Sequence, residues 1–214
     1  MEMKRNYGRV LAGMVVAWLA TVLIVSALHG FARDPSRPPV ALLVGVLAPI
    51  ATVVIWYRSS AGFREYIMGL NPRTLTMVHS WRVAGFVFLV LSAYGILPRF
   101  FALPAGWGDI AIGATAVPAA IWLARPERKA GFLIWQALGV TDLVMAVSLG
   151  ASARLIDPQG TGITTAPMTV LPLSLIPGFA VPLLLILHGI CIAQARRWRA
   201  DDGIPAGVKR QTAL

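Results

Sequence analysis

Six apolar runs, at about 10–28, 39–57, 74–97, 106–124, 131–150 and 169–194, are each long enough to cross a hydrocarbon core of roughly 30 Å. Backbone amides and carbonyls find no water at that depth. A spanning run must therefore close its own hydrogen bonds as a helix. The predicted fold is an all-α integral membrane bundle of about six transmembrane helices, a single domain over residues 1–214 with a tail at 195–214. Composition agrees: 57% of residues are hydrophobic and 13% charged, more apolar surface than a soluble chain of this size can hide. The segments between the runs are short, so function has to come from the helices and their loops.

The formal charge of +10 would suggest nucleic acid in a soluble protein. Here the basic residues lie between apolar runs, where they set topology instead, and no nucleic-acid partner is expected. The amino end, the second and fourth loops and the tail hold fourteen Lys and Arg, against four in the other loops. That asymmetry predicts both termini on the cytoplasmic side of a bacterial inner membrane. Lys4, Arg5 and Arg9 precede the first run as in a secretory signal, but the 19 apolar residues from Val10 to Leu28 are too long for one, so this is read as an uncleaved first helix. Trp56, Tyr57, Trp107, Trp122 and Trp198 fall at or near helix ends, where an amphipathic ring suits the headgroup layer.

Between the second and third runs, Phe63, Tyr66, Ile67 and Leu70 recur at helical spacing opposite Arg64 and Glu65, which predicts a short helix in the inner interface. Asn71 and Pro72 supply an N-cap and a first-turn proline for the third span. In the sixth run Pro177, Gly178 and Pro182 predict a kink or break, because each proline removes an amide donor. Broken helices expose polar backbone at the binding sites of transporters, although prolines also merely bend membrane helices.

Charge inside a span costs roughly 2.5–3.5 kcal/mol and calls for a partner. Arg82 lies roughly 14 Å into the third helix and Asp142 roughly 16 Å into the fifth, both from the same side. His79 shares a helical face with Arg82, and His188 lies at similar depth in the sixth helix. His79, Arg82, Asp142 and His188 are thus the candidate intramembrane cluster, with Gln136 nearby in sequence. Three chemistries suit it: an ion pair that fixes packing, a proton relay in a small carrier, or a b-type haem held by His79 and His188. Asp109, at the outer start of the fourth run, is expected to cap that helix. A Gly-x-x-Asp recurs at Gly106–Asp109 and Gly139–Asp142, two matched positions best read as coincidence. Gly108, Gly113 and Ala116 in the fourth run, with Gly139, Ala146 and Gly150 in the fifth, suit close helix packing.

No metalloprotease, nucleophile-elbow, phosphate-loop or dinucleotide signature is present. The runs Ala105-Gly-Trp-Gly-Asp109, Trp135-Gln-Ala-Leu-Gly-Val-Thr-Asp142-Leu143 and Leu175-Ile-Pro-Gly-Phe-Ala-Val-Pro182 through His188 resemble those of an uncharacterised family of bacterial multi-pass membrane proteins. The resemblance spans about the last half of the chain and implies membrane location without an assigned activity. The preferred expectation is a small transporter or proton-linked carrier, and a non-catalytic scaffold or accessory subunit is the alternative. Lipid is the expected surroundings, with a second copy or another membrane protein as partner.

Overall fold

The computed structural model describes residues 2–31, 40–156 and 162–198. Most of the expected tail, 199–214, lies outside them, as do the loop residues 32–39 and 157–161. The described residues are almost entirely helical and form no strand. Six helices are long and apolar enough to cross a membrane: Asn6–Ala27, Val40–Ser59, Pro72–Ala93, Arg99–Leu123, Pro126–Ala153 and Ile176–Arg197. Exposed Val16, Ile24, Ile55, Trp107, Ile134 and Leu138 give the bundle the apolar exterior that lipid requires.

Helices α1 (Glu2–Ala27) and α2 (Val40–Ser59) are followed by the short helix α3 (Ala61–Met68). Ser60 caps α3, its hydroxyl accepting from the Phe63 amide at 3.2 Å. Phe63, fully buried, stacks on Trp56 with ring centroids 3.9 Å apart and planes 3° from parallel. Ile67 is also buried, and the cluster reaches Ile190 near the other end of the chain. The carbonyls at the end of α3 accept from the Gln194 amide, at 3.0 Å for Ile67 and 2.9 Å for Leu70. The apolar face of α3 is therefore spent inside the protein.

The third span is not one α-helix. It runs as α4 (Pro72–Met77), a 3₁₀ segment (Val78–Gly85) and α5 (Phe86–Ala93). Thr76, His79, Arg82, Gly85 and Phe88 are buried, while almost every residue between them is exposed. That is a period of three. On an α-helix successive third residues drift by about 60°, so a stripe this long would wind away from the interior; 3₁₀ winding brings residues i and i+3 into line. At 2.0 Å per residue against 1.5 Å, the eight-residue segment also lengthens the span by about 4 Å.

Asn71 caps α4, its side-chain oxygen accepting from the Arg73 amide at 2.9 Å, and Pro72 fills the first turn. The Asn71→Ala variant is expected to lose about 1 kcal/mol of stability, read as a lower denaturation midpoint in detergent. An unchanged midpoint would mean that the cap contributes nothing there.

Three expected boundaries move. The third span stops at Ala93 rather than 97, because the chain turns at Gly95, whose φ of 69° suits glycine. Helix α6 (Arg99–Pro118) begins seven residues before the expected 106, with Pro104 inside it, and ends in a π turn (Ala119–Leu123). Pro104 and Gly106 read as loop residues in the sequence, but a membrane helix tolerates both. Helix α7 (Lys129–Ile156) is the fifth span. The sixth starts at a π turn (Ile176–Ala180) and continues as α8 (Val181–Arg197), so residues 169–175 precede it instead of opening it. Its winding changes beside Pro177, Gly178 and Pro182, all buried. A side chain at Gly178 would meet the Val22 Cγ1 of α1 at 2.8 Å, and the Ser174 hydroxyl bonds that of Ser26 at 2.9 Å.

Candidate functional site

The 3₁₀ segment packs along α6, and His79 and Arg82 of its buried stripe meet side chains of α7 and α8. Arg82 stands at the centre with a side chain only 1% exposed. Its Nε donates to Asp109 Oδ1 at 2.7 Å, its Nη2 to Asp142 Oδ2, and its Nη1 faces His188 Nε2 at 3.4 Å. One guanidinium thus serves three elements through three nitrogens, a use of its planar fork that a lysine ammonium cannot copy.

Because an arginine only donates, His188 Nε2 must accept and its Nδ1 carries the hydrogen, which goes to Gln136 Oε1. Gln136 in turn donates to Thr76 Oγ1 at 3.3 Å, and the Thr76 hydroxyl donates to the Pro72 carbonyl at 2.8 Å. A single line of contacts therefore runs from the two carboxylates to the capped start of α4. His79 lies flat on His188, centroids 3.9 Å apart and planes at 25°, with the edge of Trp135 at 5.8 Å. Among the described residues neither His79 nitrogen, nor Asp142 Oδ1, meets a hydrogen-bond partner.

Glycines make the room. A Cβ at Gly108 would fall on the Asp142 carboxyl, one at Gly139 on the His188 ring, one at Gly85 on Asp109 Cβ, and one at Gly113 on the backbone of Arg82 and Val83. The stripes expected to let helices approach also seat the polar side chains between them.

The structure thus brings together His79, Arg82, Asp142 and His188, and adds residues that sequence reasoning placed elsewhere or left at the margin. Asp109 is corrected. With α6 starting at Arg99, it lies ten residues inside the helix, Pro98 takes the N-cap position, and the carboxylate holds Arg82 instead of capping. The two Gly-x-x-Asp motifs deliver their carboxylates to one guanidinium from helices running in opposite senses. Their glycines differ in role, since Gly106 faces Leu89 and Gly139 faces His188. Pro177, in the π turn before α8, lines a cavity described below, and Pro182 is buried in the first turn of α8.

The arrangement does not fit a haem between His79 and His188. Rings stacked face to face at 3.9 Å leave no slot for a macrocycle, and both His188 nitrogens already face partners. Among the described residues there is also no group of three side chains able to hold a metal ion. What the site can do follows from its charge. One guanidinium faces two carboxylates, one negative charge in excess within an apolar interior. An unbalanced buried charge is costly, so the pair of carboxylates calls for a proton or a cation as counter-charge.

Six helices long and apolar enough to cross a membrane, packed around an ion-paired core, define an all-α bundle of the kind that suits a bilayer. Residues 35–196 match a family described as a domain of unknown function, DUF8737, and the chain belongs to that family. Neither a curated protein nor a solved structure is significantly similar to it.

Proposed function

We propose that the protein is a small proton-linked carrier of the bacterial inner membrane, with both termini cytoplasmic. The excess carboxylate at Arg82, Asp109 and Asp142 carries this reading. Arginine is a fixed cation and does not pass protons. Its two carboxylate partners leave one counter-charge to be supplied, and the core takes up and releases a proton in that place. The neutral His188, its hydrogen bond to Gln136 and the Thr76 hydroxyl extend the polar path toward the start of α4, the side that the excess of basic residues assigns to the cytoplasm. His79, fully buried and stacked on His188, widens that path.

Proteoliposomes with an entrapped pH dye and an imposed inside-negative potential test this. Vesicles holding the wild type are expected to acidify faster than protein-free vesicles, and Asp109→Asn or Asp142→Asn to return the rate to the protein-free level with helical circular dichroism intact. Wild-type vesicles that acidify no faster than protein-free ones would remove the reading.

A further inference from the structure

A cavity of about 70 Å³ lies beside the core, between α2, α5, α6, α7 and the start of the sixth span. Val46, Phe88, Phe101, Val147 and Val181 give it apolar walls. Asp109 is the one ionisable residue among its described lining residues. Two threonines also line it, but their hydroxyls are committed, Thr165 donating to the Gly150 carbonyl at 3.4 Å and Thr169 to the Ala166 carbonyl at 2.8 Å. The Asp109 carboxylate accepts from Arg82 through Oδ1, and its side chain is 18% exposed. The cavity is thus an apolar slot with a single anionic end, and that end belongs to a core already one negative charge in excess.

We infer that the cavity binds a short-chain aliphatic amine in its ammonium form, the alkyl body between Val46, Phe101 and Val147 and the charged head on Asp109. This rests on the proton-linked reading and supplies the cation that takes the proton's place in it. Charge selects the head: an ammonium can replace the proton as counter-charge, a neutral molecule cannot, and an anion adds to the negative excess. Size selects the body, since the cavity has about half of the roughly 150 Å³ that accepts a benzene ring and so admits only a short alkyl group, such as methyl or ethyl. On binding, the O–H bond of the protonated carboxyl breaks and its proton passes to bulk water as one ammonium arrives, so charge is conserved and no bond within the amine changes.

The test is ligand-observed saturation-transfer NMR on the full chain in nanodiscs, with ethylamine and ethanol as probes and empty nanodiscs as the blank. The wild type is expected to bind ethylamine saturably, at least about tenfold more tightly than ethanol, the size of one charge-assisted hydrogen bond. Asp109→Asn is expected to erase that preference. Ala146→Phe, which narrows the slot, is expected to weaken the amine about tenfold or more. Equal binding of amine and alcohol, a preference that survives Asp109→Asn, or no effect of Ala146→Phe would each overturn the inference. The vesicle proton flux needs no amine, so flux without amine selectivity removes this inference alone, and selectivity without flux removes the carrier reading alone.

Discussion

Replacing Arg82 by methionine is expected to lower the free energy of unfolding by about 3–5 kcal/mol. Methionine fills much of the same space, so the loss reports charge rather than volume. Without the guanidinium, Asp109 and Asp142 stand near each other with no cation, and His188 Nε2 loses its donor. Breaking a buried ion pair from one side costs far more than deleting it whole. The triple variant Arg82→Met with Asp109→Asn and Asp142→Asn is therefore expected to recover most of the loss, a departure from additivity that only mutually dependent groups show. Arg82→Lys is expected to fall between, since one ammonium supplies the charge but cannot reach three partners from a planar fork. Unfolding by denaturant, followed by far-ultraviolet circular dichroism in mild detergent, gives all of these values. A loss below about 1 kcal/mol for Arg82→Met would show that the core is solvated well enough to tolerate unpaired carboxylates.

How much of this could be read from the chain divides along the range of the forces involved. Membrane spans follow from apolar length alone, which is local, and six runs lead directly to six helices. The cap at Asn71 and the apolar face of α3 are likewise local patterns. That Arg82 and Asp142 meet was legible as a depth argument, because a charge in hydrocarbon must find a partner at its own level. Asp109 was misplaced for one reason: Pro104 and Gly106 look like a loop by soluble standards, and a helix begun at 106 puts the carboxylate at its end instead of ten residues inside. The 3₁₀ winding also left a trace. Thr76, His79, Arg82, Gly85 and Phe88 hold a strict period of three, a signal that would have predicted the segment had the third span been tested against that period as well as 3.6. The cavity left none, since its walls come from six segments of the chain whose packing no local pattern encodes.

Glycine carries much of the site's geometry, and the same substitution is expected to have opposite signs at different positions. Gly139→Ala places a methyl group where the His188 ring lies, and Gly108→Ala places one on the Asp142 carboxyl. Neither group can retreat freely, because His188 is held by Gln136 and Arg82, and Asp142 by Arg82. Each variant is expected to lose about 1–3 kcal/mol, the usual cost of overpacking, and to lower vesicle proton flux by disturbing the ion pairs. Gly189, the next residue along from His188, has nothing within 4 Å of an added Cβ and is exposed. Gly189→Ala is expected to gain about 0.5–1 kcal/mol, because alanine costs less backbone entropy in a helix interior. Denaturation midpoints of the three variants measured side by side decide the matter. If Gly139→Ala shifts the midpoint in the same direction as Gly189→Ala, then His188 moves aside without cost, and the stack with His79 and the contact to Arg82 are too loose to hold a proton site in place.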